Sequence, residues 1–203
     1  MRAIDPNELT ERENYKFLIG SIIPRPIALI TSMSGEGVVN AAPFSFFNIV
    51  SSNPPMISVS IQRKQGEMKD TARNIKENQQ FVVHIVDTNN VEKVNGTAAN
   101  LAPEESEVEK VGLTLVDSTT IRVPGIKEAK IRIECELETT LQLGGVGESK
   151  GCDLIIGKVT HYHIEESIYD NGRIDPKKLA AISRLAGNDY AEIGKQFTIE
   201  RPI

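Results

Sequence analysis

Tryptophan is absent from this 203-residue chain, aromatic residues make up only 5% of it, and it holds two cysteines and three histidines. Two cysteines cannot build a disulfide scaffold. Cys135 and Cys152 both fall in segments that read as strands, where a thiol serves as a small buried hydrophobe. His161 and His163 stand at i and i+2 in THYHIEE with no third ligand at a metal-binding spacing. No metal site is expected, and the pair reads as surface residues of a strand.

Long apolar runs are missing too. No stretch approaches the roughly 18 or more apolar residues that would cross a bilayer, and MRAIDPNELTERENYKFLIG carries charges where a signal peptide needs an apolar run. A cytoplasmic protein with no membrane partner is expected. Basic residues are not in excess: 23 Lys and Arg against 28 Asp and Glu give a net charge of -5, with both signs interspersed, which argues against nucleic acid as a partner. There is no internal repeat and no low-complexity linker. The length suits one core, so residues 1–203 are taken as a single domain.

What is present is period-two alternation. Ala129, Ile131, Ile133, Cys135 and Leu137 alternate with Lys130, Arg132, Glu134 and Glu136, the pattern of a strand with one face in a core and one in water. Ile57, Val59 and Ile61 share a face of Met56 to Ile61, and Pro26 to Ser32, Phe81 to Val86, Leu154 to Ile156 and Val159 to Ile164 complete a set of short strands. Their separation by Gly, Pro, Asn and Ser clusters favours a sandwich or barrel over repeated βαβ units. Ser34 to Gly37 reads as a β-turn, and Gly144 to Gly147 as a hairpin turn rather than a dinucleotide loop, because the full G-x-G-x-x-G and its helix are lacking.

Helices are expected to be few and peripheral. Asp70 can cap one running to about Gln79, Pro103 can open a turn before the acidic run Glu104 to Glu109, and Asp175-Pro176 is a cap and first turn before Leu179 to Leu185. The acidic run reads as a solvated face.

The stretch GVVNAAPFSFFNIVSSNPPMISVSI, residues 37–61, begins and ends like buried strand but is small, polar and proline-bearing in its middle. Asn40, Ala41, Ala42 and Pro43 are small or rigid, Phe44 to Phe47 set aromatics around Ser45, and Asn53-Pro54-Pro55 must break or turn. Exposed amides beside small side chains suit a flat heteroaromatic ligand; a barrel corner with a bulge would look the same. Ser58 and Ser60 share the polar face of the following strand, and Lys69, Asp70, Thr71 and Asn74 in KDTARNI lie at a helix start that favours an anion. Such a pocket is the size of a monophosphate, and an ordinary capped surface helix remains the alternative.

PRPIALITS, VNAAPFSFFNIVSSNPPMISVSI, KDTARNI followed by FVVHIV, and RLAGNDYA, in that order, resemble the flavin reductase-like family of FMN-binding split barrels, flavoredoxin-type proteins included. The resemblance implies a mainly β fold, a Greek-key split β-barrel with a few peripheral helices. It also implies a homodimer with FMN, or FAD, held non-covalently near the dimer interface. By the same resemblance Thr31 and Ser32 lie near the flavin, and Asn40, Ala42, Pro43, Phe44, Ser45, Phe46 and Phe47 line its ring and ribityl chain. Ser58, Ser60, Lys69, Asp70, Thr71 and Asn74 surround its phosphate, Asp70 by ordering the loop as a cap. Arg184 and Tyr190 are expected near the flavin or the dimer contact. The implied activity passes electrons from NADH or NADPH through the flavin to an acceptor such as an electron-acceptor protein, with no side chain required as a catalytic acid or base.

Overall fold

The computed structural model describes residues 1–99, 105–147 and 149–202. Seven strands form one antiparallel sheet: β1 (Ala28–Met33), β2 (Val39–Phe44), β3 (Phe47–Ser52), β4 (Pro55–Gln62), β5 (Gln80–Ile85), β6 (Ile131–Leu143) and β7 (Cys152–Ile164). Their order across the sheet is β2-β1-β5-β6-β7-β4-β3. The two edge strands, β2 and β3, are consecutive in the chain and joined only by Ser45 and Phe46, so the sheet must curl until its edges nearly meet. A hydrogen bond of 2.8 Å from Ser60 N to Phe46 O carries the β3–β4 ladder one residue into this junction.

The alternation read from the sequence selects the barrel interior. Ala28 and Ile30 of β1, Phe44 of β2, Ile57, Val59 and Ile61 of β4, and Phe81 and Val83 of β5 are buried together. Helix α2 (Asp70–Asn78) closes one end by inserting Ala72 and Ile75 into this core. Each large apolar side chain so buried stabilises the fold by roughly 1.5–3 kcal/mol. The opposite faces of β1 and β2, with Leu29, Val39 and Ala41, build a second core against Val86, Val94 of α3 (Val91–Gly96), Val108 of α4 (Glu107–Lys110) and Ile126. Both faces of β1 are therefore covered, which is why its first half, with Ile27 before it, reads as an apolar run through Ile30.

Several expectations need correction. The break in residues 37–61 is confined to Ser45 and Phe46, and Asn53-Pro54 turns the β3–β4 hairpin. The two segments 154–156 and 159–164 are one strand, β7, with register shifts at Ile156/Gly157 and Val159/His161. The polar face of β6 is not in water throughout: Glu134 is fully buried, because residues 118–123 fold over it. The helix after Asp175 stops at Leu179 as α5 (Pro176–Leu179), since Ala180 turns left-handed at φ 52° and Ile182–Arg184 is needed as a strand. Pro103 and Glu104 lie outside the described residues; of the rest of that run, Glu107 is buried rather than solvated.

Two helices went unanticipated, α3 and one nearer the start of the chain. Helix α1 (Glu11–Ser21) is opened by a capping box in which Thr10 and Glu13 bond each other's backbone N–H. It buries only Ile19, leaving Tyr15, Phe17 and Leu18 exposed. A small sheet beside it pairs Arg25–Pro26 with Ile182–Arg184, and that strand with Tyr190–Glu192.

Candidate functional site

At the end of the barrel closed by α2, the inward face turns polar. Ser32 follows Ile30 by two residues on β1 and Asn40 precedes Ala42 by two on β2, so both enter the interior. There Asn40 Oδ1 accepts from Thr71 Oγ1 at 2.8 Å and lies 3.4 Å from Ser32 Oγ, and Asn74 Nδ2 donates to Ser32 Oγ at 3.3 Å. The Asn40 amide donates at 3.0 and 3.1 Å to the carboxylate of Glu107, which also accepts from Ala41 N at 3.1 Å. Burial pushes the Glu107 carboxyl up, and the donors from Ala41 and Asn40 oppose that. Ser106 donates to Val39 O at 2.7 Å, so two side chains answer the open edge of β2 as a neighbouring strand would. Pro43, further along that edge, has no N–H to satisfy. Glu107 had no sequence signal beyond its place in an acidic run.

Ser32, Asn40, Thr71 and Asn74 thus form one interior network, and their side chains are committed to it. Thr31 is also buried, its hydroxyl given to Pro124 O at 2.7 Å. Ser58 and Ser60 lie on the outer face of β4, opposite Ile57, Val59 and Ile61. Ser58 Oγ is 3.4 Å from Asn48 O and Ser60 Oγ accepts from Gln62, with no hydrogen bond to α2 among the described residues.

The start of α2 departs from expectation. Asp70 is the first helical residue, not its cap, and its carboxylate pairs with Arg73 one turn on. Lys69 occupies the cap position, and among the described residues no side chain answers the amides of the first turn. The Lys69 ammonium lies 5.8 Å from the centroid of the Phe44 ring and finds no carboxylate or carbonyl partner among the described residues. Desolvation, and then Lys64 nearby, lower its pKa. Uncapped amides beside an unpaired cation form a site for an anion the size of a phosphate. The other side of the helix start does not: a groove of about 370 Å³ beside Asn40 and Asn74 is lined by Glu36, Asp70, Glu77, Glu105 and Glu107, against which stands one cation, Arg73, already paired with Asp70. A phosphate approaching there would meet like charge, so the Lys69 side is the one that fits.

The β2–β3 junction supplies the second half of the site. Among the described residues the N–H groups of Ser45 and Phe46 have no backbone partner, while Phe46 O accepts from Ser60 N. Phe44 and Phe47 pack into the barrel core, whereas Phe46 is half-buried and belongs to no core cluster. Two free amides next to one uncommitted aromatic face match the polar edge and flat face of a heteroaromatic ring. Pro43, Phe44 and Ser45 also wall a cavity of about 220 Å³ whose far side carries Arg184 and Tyr190, the C-terminal residues expected near the site.

The histidine pair belongs elsewhere. His163 Nε2 contacts Glu134 Oε1 at 2.6 Å, and the two imidazole rings lie 4.8 Å apart. Burial pushes the Glu134 carboxyl up, but the bonds from Thr120, His163 and Thr119 prevail and hold it at about 2. Glu134 pins residues 118–120 over the sheet; no cluster able to hold a metal occurs among the described residues.

The sequence model of the flavin reductase like domain matches residues 19–178. Nitrilotriacetate monooxygenase component B from Bacillus cereus is 56% identical and superposes with a TM-score of 0.97, covering 98% of each chain. The 2-nitrobenzoate 2-nitroreductase of Pseudomonas fluorescens is 32% identical with a TM-score of 0.88, covering 99% of this chain and 96% of its own. An uncharacterized protein of Halalkalibacterium halodurans is 48% identical over 98% of this chain and 96% of its own.

Proposed function

The chain belongs to the flavin reductase like family, and from that premise we propose that it is a flavin-dependent reductase that holds FMN, draws on NADH or NADPH, and delivers electrons to a separate acceptor. The observation that carries the choice of FMN is the conjunction of an uncapped helix start and the unpaired Lys69 with the free amides of Ser45 and Phe46. The bound flavin would supply the redox chemistry, taking hydride from the nicotinamide and releasing electrons to the acceptor.

The chain's part is to bind and orient. Lys69 and the first amides of α2 hold the phosphate, and the Ser45 and Phe46 N–H groups hold the polar edge of the ring, where negative charge gathers on reduction. Phe46 gives one face an apolar wall. No side chain is needed as an acid or base. The 56% identical relative is a component of a monooxygenase, which supports an oxygenase as the acceptor.

A homodimer is part of the proposal. Exposed apolar residues on α1 (Tyr15, Phe17, Leu18) and on β3 (Ile49, 78% exposed, and Val50) leave two apolar surfaces for a second copy to cover.

The test is an absorbance spectrum of the purified protein, repeated anaerobically after NADH and then NADPH. Flavin bands that bleach with a nucleotide are expected and identify the donor. A colourless protein that ignores added FMN would overturn the proposal.

A further inference from the structure

The cavity of about 220 Å³ between the β2–β3 junction and the C-terminal strands has an unusual balance of groups. Its floor is apolar, with Ile27, Val86, Val91 and Val94 beside Pro43 and Phe44, and among the described residues no carboxylate lines it and Arg184 is its one charged residue. The carbon of that guanidinium lies 4.4 Å from the centroid of the Tyr190 ring, and the group gives one N–H to Gly187 O, which leaves its remaining donors without a partner among the described residues. Tyr190 is fixed in turn, its hydroxyl donating to Asn95 Oδ1 at 2.9 Å, so the Asn95 amide donors remain available at the rim.

A second positive charge stands behind the first. Arg25 lies opposite Arg184 in the strand pairing, is 6% exposed, and spends its donors on the carbonyls of Ile19, Ile22 and Leu185 rather than on any carboxylate. Its Nε is buried without a partner. Burial lowers the Arg25 pKa; Tyr15 opposes that shift, and the neighbouring Arg184 adds to it. A fixed guanidinium fork over an apolar floor recognises a carboxylate carried on a flat apolar body. The volume is below the roughly 300–1,000 Å³ of sites that take drug-sized ligands, which limits the body to about one ring.

We infer that this cavity binds a single-ring aromatic carboxylate, with its carboxylate on Arg184 and its ring on the floor beside Pro43. Ser45 bounds both this cavity and the amide pair assigned to the flavin, so the bound carboxylate lies next to the flavin ring as the second substrate of that site. That last placement rests on the flavin reading; the binding itself does not.

The test compares benzoate with benzamide, its neutral counterpart, by calorimetry on wild-type protein with and without FMN. Benzoate should bind about tenfold tighter or more in both forms. Arg184→Ala should erase the preference, and Arg184→Lys, which keeps charge but loses the fork, should restore part of it. Equal or absent binding of the two probes to wild-type protein overturns the inference even where a variant does not fold, as does a preference that survives in Arg184→Ala. Benzoate selectivity in a protein that takes up no FMN sinks the flavin reading and leaves this site standing. FMN uptake without benzoate selectivity does the reverse.

Discussion

Thr71 and Asn40 meet through a hydrogen bond of 2.8 Å that ties the first turn of α2 to the edge strand β2 inside the barrel. Thr71 therefore has a structural role that its place at a helix start conceals. Thr71→Val keeps the shape and removes the donor, leaving the half-buried Asn40 amide oxygen with only Ser32, 3.4 Å away. Stability should fall by about 1–2 kcal/mol in urea unfolding. The ratio of FMN to riboflavin affinity should stay as in the wild type; a selective loss of FMN would place the hydroxyl on the phosphate instead.

Lys69 is predicted to behave in the opposite way. Lys69→Ala should weaken FMN by about tenfold, as expected for a charge-assisted contact, and riboflavin, which lacks the phosphate, far less. Fluorescence titration of both flavins reads the difference, and equal losses would move the phosphate elsewhere. Folding stability should change little, since among the described residues the ammonium loses no ion pair or hydrogen bond, only its contact with the Phe44 ring.

Ile49 tests the proposed dimer. It is 78% exposed on the edge strand β3, so Ile49→Asp costs an isolated chain little, yet a carboxylate there would obstruct an apolar contact with a second copy. Sedimentation should show a dimer for the wild type and a shift toward monomer for the variant. A wild-type monomer at micromolar concentration would remove the premise.

Acid should destabilise the fold in two successive windows. His84 is buried as the Nδ1–H tautomer, donating to Leu29 O at 2.9 Å and accepting from Ile126 N at 2.8 Å. Burial lowers its pKa from 6.5 to about 4. The unfolded chain binds the proton first, so this contribution is full above pH 6.5 and falls as pH drops toward 4, by about 3 kcal/mol in all. Glu134, held at about 2 against an ordinary 4.5, adds a second loss as pH falls below 4.5. Urea unfolding at pH 7, 5.5 and 4.5 should show the first decline; a flat profile would contradict the neutral buried imidazole.

Gly157 sits at a register shift of β7 against the ring of Phe81. A Cβ there would clash with Phe81 Cζ, and Phe81 is fully buried. Gly157→Ala should cost about 1–3 kcal/mol, read as a lower Tm, and Phe81→Leu in the same chain should recover part of it.

The barrel was legible wherever burial follows from one strand alone. Ile57, Val59 and Ile61 announced their face by alternation, and it is the interior face. Asp175-Pro176 announced a helix start correctly, but not its end, because what stops α5 is the pairing of Ile182–Arg184 with Arg25–Pro26. Glu134 looked like a water-facing residue until residues 118–123 covered it. In the site, Lys69 could be nominated from its place before a helix. Glu107 could not: it meets Ala41 across 66 residues, and no local pattern encodes such a contact.

The treatment of the β2 edge bears on behaviour at high concentration. Ser106 takes the carbonyl of Val39, Glu107 takes the N–H of Ala41, and Pro43 offers none. An open strand edge is ordinarily a template on which another chain can extend the sheet, the first step toward fibrils. Here that template is occupied by two side chains and then interrupted by a ring, so along this edge a barrel that is not fully closed resists polymerisation almost as a closed one would.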